Sequence, residues 1–147
     1  MEEIPKNQPC PHCGRWANRG VSIDAVIIKN GKILLIQRGR EPDKGRWGTP
    51  GGHVDWDESA EDAVRREVQE ETGLNVISTQ LVGVYSDPAR HPKQVINLVY
   101  LAEVEDGTVK YGDDAMDARW YDLDSLPEEM ALDHKANIQD ARKYLSP

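Results

Sequence analysis

Glu67, Glu70 and Glu71 crowd into "EVQEE", within the longer segment "GGHVDWDESAEDAVRREVQEETGL" from Gly51 to Leu74. At about 100° of helical rotation per residue, spacings of three and four make these carboxylates neighbours. The same rotation sets them beside Val64 and Val68, with Arg65, Gln69, Asp62 and Arg66 on a separate, solvent-like face. Like charges at these spacings cost a few tenths of a kcal/mol per pair when exposed, and burial adds to that cost. A solvated acidic face bridged to Arg65 and Arg66 is the ordinary alternative. With the arginines projecting elsewhere, a hard divalent cation such as Mg²⁺ or Mn²⁺ is the better counter-ion, because carboxylate oxygens suit it. Such an ion on an acidic helix is equipped to act on phosphate oxygens.

The flanking sequence supplies the elements that must hold this helix. Ser59 and Asp62 form a capping pair for a helix from Ser59 to Thr72, and Gly73 stands where a helix ends on glycine. Before it runs a turn-rich loop, Gly39–Gly52, long enough to be functional. "VSIDAVIIK" (Val21–Lys29) reads as a strand, Asn30–Gly31 as a hairpin turn, and "KILLIQR" as its partner. "TQLVGVYS", "QVINLVYLAEV" and "ARWYDLD" read as further strands, and "HKANIQDARKYL" as a C-terminal helix. Strands joined both as hairpins and around a helix predict an α+β fold, a mixed β-sheet sandwiched between helices.

The chain has 147 residues, no phenylalanine and a net charge of −8. One domain of ordinary size is expected. So acidic a surface argues against general binding to nucleic-acid backbones, unless divalent ions intervene. No apolar run is long enough to span a bilayer. The opening "MEEIPKNQPC" lacks the hydrophobic stretch of a secretory signal, so a cytoplasmic protein is expected. Residues 1–19 read as an appended segment and 20–147 as the main domain. The appended segment carries the two cysteines, Cys10 and Cys13, in "CPHCGRW". A closed Zn²⁺ site needs four ligands; His12 is a constrained candidate for a third, and no second CxxC follows. A structural role, a metal shared between subunits of a homodimer, and redox chemistry are the readings, in that order.

The segment from Gly52 to Leu74 resembles the Nudix box at every defined position: Gly52, Glu58, Arg66, Glu67, Val68, Glu70, Glu71, Gly73 and Leu74. The resemblance extends over roughly Val21 to Leu145 and leaves the CxxC aside. It implies a Nudix fold, and hydrolysis of a nucleoside diphosphate linked to another group. It implies metal binding by Glu67, Glu70 and Glu71, with backbone near Gly51 or Gly52 completing the site. Catalysis is expected from Glu67, Glu70 and Arg66, the last orienting a neighbouring glutamate, with Glu58 in an outer or structural place. Asp57 stands where many relatives have glycine.

Substrate contacts are expected from Gly52, Arg38 and Arg90. For Arg38 a phosphate contact and a plain surface arginine are both open, and for Arg90 a contact to a phosphate or the terminal ribose and a surface loop without a ligand role are both open. Trp47 either stacks on a base or packs its loop. Asp113, Asp114 and Asp117 either reach over the metals or form a solvated turn.

The stretches Ser86–Pro92 and Gly112–Ala115 before Trp120 look similar to small ADP-ribose pyrophosphatases, which implies ADP-ribose as the substrate. NADH, a nucleotide sugar or an oxidised nucleoside triphosphate are the alternatives. A nucleotide-sensing module that does not cleave is a further one, against which all box glutamates are present.

Overall fold

A computed structural model describes residues 6–131 and 133–145. In chain order the elements are β1 (Val21–Val26), β2 (Ile28–Lys29), β3 (Lys32–Arg38), β4 (Trp47–Gly48), β5 (Gly51–His53), α1 (Ala60–Thr72), β6 (Val76–Tyr85), β7 (Ile96–Val104), β8 (Ala115–Asp122) and α2 (His134–Arg142), with a 3-10 turn at Pro88–Arg90. One sheet has the order β5-β1-β7-β6 and is mixed, because β1 and β7 run parallel. In the other, β3 pairs antiparallel with β2, β4 and β8. The predicted strand Val21–Lys29 divides at Ile27, where the chain leaves the first sheet for the second. Asn30 (φ 53°) and Gly31 (φ 74°) both take the left-handed backbone that a tight hairpin turn requires.

Alternation along the central strands explains why both faces are covered. Ile23 and Ala25 of β1, Leu34 of β3, and Tyr100, Ala102 and Val104 of β7 join a core with Ala63, Val64 and Val68 of α1. Their neighbours Val26, Ile33, Leu35 and Val99 join a second core with Ile138 and Ala141 of α2. Strands buried on both faces read as continuous apolar runs, which is how "AVII" and "ILLI" look in the sequence. The expected sandwich of mixed sheet between helices is therefore present, with the strands divided between two sheets.

The helix α1 is closed at both ends by its own sequence. Ser59 Oγ accepts from the Asp62 N–H at 3.0 Å. Gly73, at φ 75°, donates its N–H to the Gln69 carbonyl at 2.9 Å.

The loop ahead of α1 is clasped from two sides. On one, the Ala25 N–H donates to the Pro50 carbonyl at 2.8 Å, and β5 pairs with β1 from Ser22↔His53 to Asp24↔Gly51. On the other, Trp47 exchanges bonds with the chain leading to α2: its N–H donates to Glu129 and its carbonyl accepts from Ala131, both at 2.7 Å. His134 at the start of α2 is buried and accepts the Thr49 N–H on Nδ1 at 2.9 Å.

The start of α2 also holds the Ser86–Pro92 stretch. Arg90 Nη1 meets both oxygens of Asp133 at 3.1 Å, and Nη2 donates to the Val95 carbonyl at 3.2 Å. Side-chain exposures of 14% and 27% leave little water to replace this pair. Arg90→Ala is therefore expected to cost about 1.5–3 kcal/mol, the range for hydrogen bonds to charged groups. Arg90→Lys should recover only part, since an ammonium cannot span both oxygens in the same plane. Urea unfolding of the three proteins measures this, and an unchanged midpoint for Arg90→Ala would deny the pair a structural role.

Candidate active site

Burial separates the acidic residues of α1. Glu67 and Glu71 are 8% and 4% exposed, whereas Glu70 lies at the surface. The expected inward-facing trio is thus a buried pair with a third carboxylate at its rim. Asp113 joins from the loop before β8: oxygens of Glu67, Glu70 and Asp113 all lie within 4.8 Å of one another. Asp113 adopts a left-handed backbone (φ 54°). Before it, Gly112 sits so close to α1 that a Cβ there would lie 2.8 Å from the Glu70 carbonyl. The absent side chain is what lets this loop approach the helix.

Arg66 organises the outer half of the site. Its Nε and Nη2 donate to the two oxygens of Glu58 at 3.0 and 2.8 Å. Nη1 reaches Glu67 at 2.8 Å and Glu70 at 3.3 Å, and Nη2 also meets the His53 carbonyl at 3.0 Å. The sequence reading set Arg66 on the solvent face with Arg65. The structure corrects this, because a long side chain whose Cα faces outward still carries its guanidinium back across the helix. Arg66, helped by the Asp55 N–H, holds the Glu58 carboxyl down at about 2.

Among the described residues, no cation is paired with the inner half. Burial, then the neighbouring Glu67 carboxylate, push Glu71 from its ordinary 4.5 up to about 10, against the opposing effect of a hydrogen bond from the Gly51 N–H. Burial also raises Glu67, opposed by its bonds to Glu71 and Arg66. Both shifts favour the neutral carboxyl, because two adjacent buried anions cannot both stand without compensation.

The donor set fits a hard divalent ion. Glu71 Oε2 is buried without a hydrogen-bond partner, an acceptor whose natural complement is a cation. A Cβ at Gly52 would lie 2.6 Å from Glu67 Cδ, so backbone comes as close to the carboxylates as glycine allows. Oxygen ligands in such surplus are the company that Mg²⁺ or Mn²⁺ keeps.

The other predicted residues are placed as follows. Arg38 lies at the end of β3, and its Nε donates to the Pro42 carbonyl at 2.8 Å, which ties down the Gly39–Arg46 loop. Arg90 spends its Nη groups on Asp133 and Val95, and its Nε is buried without a hydrogen-bond partner. Trp47 is buried and packs edge-on against Tyr121 at 5.1 Å, which decides for packing over base stacking. Asp114 pairs with Arg40 at 2.6 Å and Asp117 with Arg119 at 2.7 Å, so of the three loop aspartates only Asp113 joins the cluster. Asp57 carries φ 63°, a conformation that glycine adopts freely and aspartate tolerates.

Sequence reasoning missed Asp24, which raises Glu71 further and accepts from Asn97 Nδ2 at 2.7 Å. A lone acid within the apolar run "SIDAVII" was the available signal.

The raised Glu71 carboxyl has a consequence for stability. Unfolded, Glu71 ionises near 4.5, whereas in the metal-free fold it stays protonated up to about 10. Between those values folding takes up a proton, so stability is fully present below 4.5 and falls as pH rises, by at most about 1.4 kcal/mol per pH unit. Glu71→Gln should flatten this slope and raise stability at pH 8 in the presence of a chelator. Urea midpoints from pH 5 to 9 test it, and parallel slopes for the two proteins would remove Glu71 as the cause.

Comparison with known proteins places this arrangement. The model of the NUDIX domain matches residues 18–141. An ADP-ribose pyrophosphatase of Methanocaldococcus jannaschii is 45% identical over 130 residues, 88% of this chain and 76% of that protein. Among solved structures, a MutT NUDIX hydrolase from Burkholderia pseudomallei is 34% identical with a TM-score of 0.75, covering 83% of this chain and 97% of the other. The NUDIX domain of Shewanella oneidensis NrtR, complexed with ADP ribose, is 27% identical with a TM-score of 0.77, covering 87% and 89%. With buried carboxylates on a capped helix, glycine backbone against them and a family match across most of its length, the chain belongs to the Nudix family.

Proposed function

We propose that this protein hydrolyses ADP-ribose to AMP and ribose 5-phosphate, with Mg²⁺ or Mn²⁺ held by Glu67, Glu70 and Asp113 and by Glu71 behind them. The observation that carries the chemistry is the buried Glu67–Glu71 pair: one Glu71 oxygen has no partner, and the Gly52 backbone lies against Glu67. The substrate is supported by the likeness to an ADP-ribose pyrophosphatase and by the Ser86–Pro92 and Gly112–Trp120 stretches.

When bound, the ion would neutralise phosphoryl oxygens and make a water more acidic. The protein's own residues do the rest. Arg66 fixes Glu67 and Glu70 in register through Nη1, and Glu58 holds Arg66. Glu70, the exposed member of the glutamate trio, takes the proton as water oxygen bonds to one phosphorus and the P–O bond to the bridging oxygen breaks. The bridging oxygen leaves with the other phosphate. Gly52 keeps the floor of the site free of side chain. Binding energy from the distal ribose would hold the diphosphate in line for that attack, which ADP, lacking the ribose, does not provide.

Two measurements test the reading. Glu70→Gln, matched in size, should lower kcat by about 10²–10⁴-fold, the usual worth of a positioned proton acceptor. Glu67→Gln should fall with it. Near-normal turnover in both would sink the site assignment. Next, kcat/KM is compared for ADP-ribose, NADH, a sugar nucleotide, an oxidised dGTP and ADP, scored by product release. ADP-ribose is expected to lead. Another substrate well above it would replace the substrate while leaving the chemistry in place. Tight ADP-ribose binding with no AMP release would favour a sensing module.

A further inference from the structure

The N-terminal segment carries a second constellation, which the diphosphate chemistry does not use. The chain folds back on itself around "CPHCGRW": Pro9 and Trp16 form an antiparallel bridge, the Cys10 N–H donates to the Arg15 carbonyl at 2.7 Å, and the Gly14 N–H donates to the Cys10 carbonyl at 2.9 Å. Gly14 takes φ 73°, which turns the chain just after Cys13. Inside this turn the backbone N–H of His12, then the backbone and side chain of Cys13, hold the Cys10 thiol below its ordinary range. Backbone donors aimed at a sulfur favour the thiolate, the form that binds metal. Both cysteines are free, and Cys13 is exposed.

The ligand set stops there. No third cysteine exists. Among the described residues, no histidine, aspartate or glutamate joins the two sulfurs in a cluster of metal-ligand spacing. A thiolate pair suits Zn²⁺, whose closed sites take four ligands in a tetrahedron. A tetrahedron has two-fold axes, each exchanging one pair of ligands with the other pair. A two-fold axis through the ion is therefore compatible with two identical chains each giving one pair, and two-fold dimers are the commonest closed assembly.

We propose that Cys10 and Cys13 form half of a tetrathiolate Zn²⁺ site, completed by the same two residues of a second copy of this chain. Trp16, 58% exposed beside the turn, lies on the surface that such a copy would cover. The segment is anchored to its own domain, so the bridge would join domains and not loose tails. Arg19 donates to the Gln94 and Ser86 carbonyls at 2.6 and 2.7 Å, and the Arg15 guanidinium lies 4.9 Å from the centroid of the Trp56 ring.

The test uses the full chain, reduced and stripped of metal, titrated with Co²⁺ while its mass is followed by light scattering. Oxygen ligands at the acidic helix give no sulfur-to-metal charge-transfer band, so that band reports the cysteines alone. It is expected to saturate at about half an ion per chain, as the four-ligand count requires. Mass should double in step, Trp16 fluorescence should change, and Zn²⁺ should bleach the band without dissolving the dimer. The Cys10→Ser, Cys13→Ser protein should show no band and stay monomeric, with AMP release from ADP-ribose retained. A band saturating at one ion per chain without a change of mass would overturn the shared site. So would the absence of a band, closure of the pair into a disulfide in place of metal uptake, or a dimer that forms equally well without the cysteines.

Discussion

Two carboxylates packed against each other at the inner edge of a helix set the terms for this fold. Buried anions are tolerated only with a compensating charge or a shared proton. Here Arg66 compensates from outside, burial pushes both Glu67 and Glu71 toward their neutral forms, and one oxygen is left over. The surrounding structure keeps that tension in place. The caps of α1 stop the helix from fraying where the acids sit. Ala63, Val64 and Val68 hold it down on the sheets, and glycines at the loops let backbone approach where side chains would fill the space.

The same arrangement divides the labour of the arginines. Arg66 is the cation of the site, and its contacts to Glu58, Glu67 and Glu70 make it a brace between the loop and the helix. Arg90 braces a different junction, between the Ser86–Pro92 stretch and α2. Arg38 holds the long loop through Pro42. Arg38 and Arg90 were read from sequence as touching substrate and Arg66 as orienting a glutamate, and in the structure all three act as fasteners. A guanidinium has five donors in a rigid fork, so it can fasten with some and still present others.

Much of this was legible in the chain itself. The helix and both of its caps follow from Ser59, Asp62 and Gly73, and the hairpin from Asn30–Gly31. The faces of the glutamates follow from their spacing, to within the exposure of Glu70. What could not be read was governed by side-chain length or by distant packing. A helical wheel places Cα atoms and says nothing of where a guanidinium ends, so spacing alone set Arg66 on the solvent face and the resemblance placed it beside a glutamate. Asp113, Asp114 and Asp117 look alike in sequence. Their fates differ because Arg40 and Arg119 claim two of them and the close approach at Gly112 delivers the third. The division of the first long strand at Ile27 is likewise set by the meeting of two sheets. Periodicity is silent on that where both faces are buried.

The clasped loop Trp47–His53 belongs to both sheets, through β4 to one and β5 to the other, with α2 latched across it by His134. Many enzymes draw their active sites from the least stable parts of the fold, where local opening is cheap. This floor has no such freedom. Its amides open only if two sheets and a helix part, so it sits near the top of the protein's hierarchy of opening free energies. Adaptation to new substrates would then fall to the exposed loops around it, which can change in length and composition while the charged centre stays rigid.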